Sequence, residues 1–159
     1  MWMRMAVLPV GVLAMVVATA MAMVAPAAAE QAPVRQPGKH ITVYKSPTCG
    51  CCASWARYLQ DNGFQVTVHD QHDLSAIKAE HGITRSLRSC HTAIVDGYAI
   101  EGHVPANDIW RLLAEKPAAL GLTAPGMPGM SPGMNSIEPR DYDVLLFDKD
   151  AQVSVYSRY

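Results

Sequence analysis

The sequence predicts a single α/β domain, and three observations predict it. Short β-branched, alternating stretches read as strands, and stretches with helical spacing of apolar residues lie between them. Glycine, proline and Asp-Gly breaks then fall where an order of strand, helix, strand, helix, hairpin and helix needs them. The 159 residues are enough for one modest core.

The N-terminal stretch stands apart from that domain. Arg4 precedes an apolar run from Met5 to Val24, and Ala27-Ala28-Ala29 offers a small-residue cleavage site before Glu30, the first acidic residue. Residues 1–29 therefore read as a secretory signal peptide. The run is also long enough to cross a bilayer, so an uncleaved membrane anchor is the competing expectation. Residues 30–39, with their prolines and glutamines, read as a flexible leader.

The domain proper is expected over residues 40–120. His40 to Ser46 is a strand, broken by Pro47 and Gly50. A helix should begin near Cys52, because Cys52, Trp55 and Leu59 share one face, and Gly63 stops it. Phe64 to Val68 alternates as a second strand. Asp73 can cap a short helix carrying Leu74 and Ile77, ended by Gly82. Thr92 to Val95 and Tyr98 to Gly102 flank Asp96-Gly97, a strong hairpin signal. Pro105 opens the next helix, with Ile109, Leu112 and Leu113 at core spacing, stopped before Pro117.

Residues 121–139 form a loop rich in methionine, glycine and proline. Residues 140–159 close the chain, with Tyr142 to Phe147 and Gln152 to Tyr156 alternating around Asp148-Lys149-Asp150 as a C-terminal β-hairpin packed on the same domain. A crossover helix between parallel strands, then a hairpin and a final helix, is a thioredoxin-like arrangement. The expected fold is thus a four-stranded mixed sheet with flanking helices plus that hairpin.

Charge narrows the function. Cleavage after Ala29 leaves 130 residues and moves the formal charge only from −1 to −2, since Arg4 is the one charged residue removed. A nearly neutral chain without a lysine- or arginine-rich run does not suit a nucleic-acid partner. After cleavage no stable membrane association is expected, and the destination lies outside the cytoplasm.

All four cysteines, Cys49, Cys51, Cys52 and Cys90, lie beyond the signal peptide. Disulfides persist in oxidising compartments, yet three of the four sit within four positions, whereas loop-stapling bridges want partners far apart. Cys49 and Cys52 form C-x-x-C and Cys49 and Cys51 form C-x-C, between a strand and a helix N-terminus. Free backbone N–H groups and the helix dipole favour thiolate there. Thiolate serves disulfide exchange and metal ligation alike, so placement does not choose between them. The third cysteine does. It would scramble a simple redox pair, whereas soft sulfur suits Cu(I). Zinc prefers two separated pairs arranged tetrahedrally, and adjacent Cys51 and Cys52 cannot easily face one such ion. Several Cu(I) ions bridged by thiolates fit better than mononuclear zinc.

Topology adds further ligands. The third strand runs antiparallel to the first and begins at the cluster end, so its leader brings Cys90 and His91 there. In thioredoxin-like redox proteins a proline usually occupies this place, and none occurs between Gly82 and Pro105. The strand after the hairpin returns to the same end, making His103 available. His40, His69, His72 and His81 are expected at the surface or at the far end of strands. Met127, Met130 and Met134 sit among glycines and prolines, unlike core methionines. Their thioethers are soft ligands, and the loop is long enough to fold back over the cysteines. A methionine-rich lid without metal contact is the alternative.

Val43 to Cys52 with Trp55, Ser89 to Ala93, Asp96-Gly97-Tyr98, Glu101 to Pro105, the Pro-Gly-Met loop and Tyr142 to Asp148 together resemble the CopG-type periplasmic copper-resistance family, long known only as a domain of unknown function. The likeness runs from about His40 onward. It implies a thioredoxin-like fold, a cysteine-bridged copper site and a role in copper resistance, with periplasmic copper-handling proteins as possible partners. The expectation is a periplasmic protein holding copper rather than an enzyme, with Cys49, Cys51, Cys52, Cys90, His91, His103, Met127, Met130 and Met134 as candidate ligands. The alternative is a thiol–disulfide oxidoreductase using Cys49 and Cys52.

Overall fold

The computed structural model describes residues 38–136 and 141–159, all within the unit Ala32–Tyr159. The expected signal peptide and nearly all of the expected leader lie outside the described residues. Among the described residues no helix is long and apolar enough to cross a membrane.

The elements are β1 (Lys39–Lys45), α1 (Gly50–Asp61), β2 (Phe64–Asp70), α2 (Ser75–Glu80), a 3-10 turn (Arg85–Leu87), β3 (His91–Val95), β4 (Tyr98–Glu101), α3 (Ala106–Glu115), β5 (Gly121–Thr123), β6 (Asp143–Phe147) and β7 (Val153–Arg158). They build one mixed sheet in the order β2-β1-β3-β4-β5-β6-β7. β1 and β2 are parallel, with α1 as their crossover, and β1, β3 and β4 are successively antiparallel. Asp96 and Gly97 both take positive φ, 46° and 83°, as a two-residue hairpin of the type I′ kind requires.

The expected four-stranded sheet with a separate hairpin is corrected to seven strands. β5 runs parallel to β4 and antiparallel to β6, and so fuses the terminal hairpin to the main sheet. Three residues at the start of the expected loop are too few to show a two-residue period. Their pairing depends on a close approach that only glycine permits: a Cβ on Gly121 would fall 1.8 Å from the Ala99 carbonyl oxygen. Smaller shifts follow local chemistry. α1 starts two residues before Cys52 because the Cys49 sulfur caps it, accepting from the Cys52 N–H at 3.3 Å. Leu74, not Asp73, is the cap residue of α2, although Asp73 Oδ1 accepts the Ser75 N–H at 2.8 Å.

Alternate strand residues supply two layers. Ile41, Val43, Ala93, Val95, Ile100 and Leu122 pack with Trp55 and Leu59 of α1 and Ile109, Trp110 and Leu112 of α3. Ala99 and Phe147, with Ile94 beside them, pack against Ile83 and Leu87. The indole N–H groups of the two core tryptophans are satisfied: Trp55 donates to the Val104 carbonyl at 2.9 Å and Trp110 to that of Asn62 at 3.1 Å. Strand β1 therefore delivers its C-terminal end, and β3 its N-terminal end, to one place; Lys45 pairs with His91.

Candidate metal centre

At that place four sulfurs converge. One ligand atom from each of Cys49, Cys51, Cys52 and Cys90 lies within 4.8 Å of every other. Two metal–sulfur bonds of about 2.3 Å placed end to end span about 4.6 Å, so these sulfurs are within range of shared ions. The Cys49 and Cys51 sulfurs are 3.6 Å apart. Cys52 is fully buried under the start of α1, while Cys49, Cys51 and Cys90 are half-buried. Adjacent helix positions thus turn one sulfur inward and leave its neighbour partly open.

The structure joins Cys49 and Cys52 as a disulfide and leaves Cys51 and Cys90 as free thiols. A set of four thiolates is therefore reached only after that bond takes up two electrons. Burial, opposed by the Ser89 hydroxyl and reinforced by Cys51 nearby, pushes the Cys90 thiol up to about 11. Without a cation Cys90 stays protonated at neutral pH, and a bound metal would displace that proton.

Cys90 also belongs to a second donor group, with His91 and His103. Its sulfur is 3.3 Å from His91 Nδ1 and 3.2 Å from His103 Nε2. Both imidazoles are buried, and burial holds both below the ordinary histidine value, His91 well below with His103 and Lys78 beside it. They are neutral, the ligating form. His103 Nδ1 lies 2.8 Å from the Pro132 carbonyl, so it carries the proton and Nε2 presents its lone pair toward Cys90. His91 packs on Trp55 with ring centroids 4.4 Å apart and the planes tilted by 41°, and its Nε2 is buried without a hydrogen-bond partner. The soft sulfurs with two neutral imidazoles match copper in chemistry.

The methionine loop folds back onto α1 and His103. Gly133 lies against the Trp55 backbone, where a Cβ would come within 2.7 Å of its nitrogen. Met134 is half-buried beside that contact, whereas Met127 and Met130 are 59% and 51% exposed. His40, His69 and His72 are exposed and His81 half-buried. His69 nonetheless lies at the cluster end of the sheet, opposite Tyr44, on which it stacks.

The sequence reading missed Lys78, Trp55 as a partner for His91, and the Pro132 carbonyl. One signal existed: Glu101 ends a strand whose preceding residues, Tyr98-Ala99-Ile100, are all apolar, and a carboxylate in such a strand needs a buried cation.

A family described as "Protein of unknown function, DUF411" matches residues 87–134, the span from the Cys90 leader to Met134. No curated protein matches the chain. Two solved structures are similar to it, both bearing the name copper resistance protein copG. Form 1 is 42% identical, with a TM-score of 0.73, over 78% of this chain and 98% of that one. Form 2 is 41% identical, again at 0.73, over 77% and 98%. Identity at that level over almost the whole of those chains decides descent, and the chain belongs to the CopG-type copper-resistance family.

Proposed function

We propose that the protein is exported to the periplasm and holds Cu(I), several ions together, in the cluster of Cys49, Cys51, Cys52 and Cys90. The scaffold would be a thioredoxin-like core enlarged by three strands, and the role copper resistance or copper handling. The observation that carries this reading is that Cys90 is common to a four-sulfur group and to a group with His91 and His103. A shared sulfur can bridge neighbouring ions, whereas one tetrahedral zinc would leave either the imidazoles or some of the sulfurs unused. His91 and His103 complete the inner set. Met134, and then the more exposed Met127 and Met130, stand as outer thioether ligands on the side open to solvent.

Copper here is cargo. The chain supplies thiolates to bind it, buried neutral imidazoles, and a loop that restricts water. Reduction of the Cys49–Cys52 disulfide by an external dithiol opens the full site: the dithiol gives up two electrons and two protons and becomes a disulfide, Cys49 and Cys52 become two thiols, and the ions displace protons as they bind.

Titration of the reduced protein with Cu(I) against a chromophoric chelator tests the reading. More than one ion per chain is expected, with stoichiometry and affinity both falling in Cys51→Ser and Cys90→Ser. Unaltered values in both variants would show that the site is misassigned. Turnover of a disulfide substrate by the metal-free protein, dependent on Cys49 and Cys52 alone, would favour the oxidoreductase alternative.

A further inference from the structure

Helix α1 carries Cys51 and Cys52, and the Cys49 sulfur is tied to its first turn as the cap, but Cys90 lies outside any helix or strand, in the segment that leads into β3. A buried ion pair underlies that segment. Glu101, at the end of β4, has no solvent exposure, and Lys78 of α2 is 6% exposed. The Lys78 ammonium meets Glu101 Oε1 at 2.5 Å.

The remaining hydrogen bonds of the pair go to the two residues that bracket Cys90 and His91. On one side Glu101 Oε1 accepts the Ser89 N–H at 2.6 Å, and Lys78 donates to the Ser89 carbonyl at 3.2 Å. On the other, the Thr92 hydroxyl donates to Glu101 Oε2 at 2.7 Å and accepts from Lys78 at 3.0 Å. Gly102 closes the arrangement. Its N–H donates to the His91 carbonyl at 3.0 Å, and a Cβ there would fall 2.5 Å from the Ser89 side chain.

A buried ion pair is a poor source of stability, since well-packed apolar side chains of similar volume often do as well or better. What this pair supplies that an apolar pair does not is a grip on residues 89 and 92. We infer that Lys78 and Glu101 are positioning residues for the Cys90 sulfur, holding it in range of the three sulfurs at the start of α1 and of His103. Neither residue touches the ion. The consequence for metal rests on the copper reading above, but the placement of the sulfur can be measured without metal.

The test compares the native protein with Lys78→Met/Glu101→Leu, which removes charge and grip together, and Lys78→Met/Glu101→Gln, which removes charge and keeps a side chain able to hold Ser89 and Thr92. Thr92→Val removes the far hold alone. Three quantities are read: the thermal midpoint, Cu(I) affinity of the reduced protein, and the rate at which diamide closes a Cys51–Cys90 disulfide in metal-free protein. In that closure two thiols give two electrons and two protons to the diazene, which becomes a hydrazine.

The Met/Leu variant should melt near the native temperature yet bind Cu(I) about tenfold more weakly, as outer-shell losses do, and close the disulfide about tenfold more slowly. The Met/Gln variant should recover most of both, and Thr92→Val should lose less than Met/Leu. A folded Met/Leu variant with native affinity and closure rate overturns the inference. Should that variant not fold, native values in Thr92→Val overturn it. If the native protein closes the disulfide but takes up no copper, the copper reading fails, and the closure rates alone decide the positioning role.

Discussion

Two polar regions of this protein differ in where their bonding capacity goes. Along the seam between α3 and β7 the protein consumes most of it, although Arg111 Nε, 3.9 Å from Glu115 Oε1, is buried without a hydrogen-bond partner. Asp108 accepts from Ser157 at 2.6 Å and from the Tyr159 hydroxyl at 2.9 Å, and Tyr156 donates to Glu115 at 2.8 Å. Arg111 donates to the Tyr156 carbonyl and the Ser157 hydroxyl and lies 3.8 Å over the Tyr156 ring. At the sulfur edge capacity is left for an ion: the Cys51 and Cys90 sulfurs, though close to Cys49, His91 and His103, form no disulfide, and His91 Nε2 is buried without a hydrogen-bond partner. A protein that leaves buried donor atoms without protein partners gives up stability there, and a ligand can recover it.

Exchanging the consequences of the two regions breaks or sharpens the contrast. Cys90→Ser should weaken Cu(I) binding at least about 100-fold, about 2.7 kcal/mol, while moving the urea midpoint little. Asp108→Ala should do the reverse. It removes the acceptor of the half-buried Ser157 hydroxyl and of the hydroxyl of the 47% exposed Tyr159, together with a carboxylate beside Arg111, and is expected to cost about 1–3 kcal/mol in urea unfolding with Cu(I) affinity unchanged. Loss of copper binding in a folded Asp108→Ala protein would erase the distinction.

A smaller effect is expected in alkali. Burial, followed by the bond to Glu115, raises the Tyr156 phenol, and burial with Asp108 beside it raises Tyr159. Burial also lifts Tyr142 to about 12. These groups hold their protons more tightly folded than unfolded, so their contribution is complete below the ordinary phenol value of about 10 and is lost as pH rises above it. Phenolate absorbance should show them titrating late, and Tyr156→Phe/Tyr159→Phe should flatten the alkaline fall in stability. Titration at the ordinary value would mean the seam is open. The smallest effects belong to the loop. Met134→Leu should weaken Cu(I) binding about threefold and Met127→Leu or Met130→Leu less, because a soft thioether is lost while volume is kept. A larger loss at the exposed positions would reverse that order.

The sulfur edge was more legible than the sheet that carries it. Cys49, Cys51 and Cys52 declare themselves by adjacency, and the antiparallel return of β3 follows from the Asp96-Gly97 turn, so Cys90 and His103 could be placed by counting strands. The Gly121–Thr123 strand could not be found that way. It is too short for a pattern, and it exists only because Ala99 and Phe147 offer edges on either side. The grip on Ser89 was hidden for a related reason: Lys78 occupies a six-residue helix with little periodicity, and its partner is 23 residues away. The Cys49–Cys52 disulfide stays an alternative in the sequence because the C-x-x-C spacing allows a bonded pair and a ligand pair equally.

The donor atoms come from three stretches of chain, residues 49–52, 90–91 and 103, joined only by strand pairing. An unfolded chain keeps the first stretch and scatters the others, so the complete set is a property of the native state. An ion that recognises the complete set binds the native state in preference to the unfolded one. Occupancy is thereby converted into resistance to unfolding, with free copper at 100 times its dissociation constant adding about 2.7 kcal/mol.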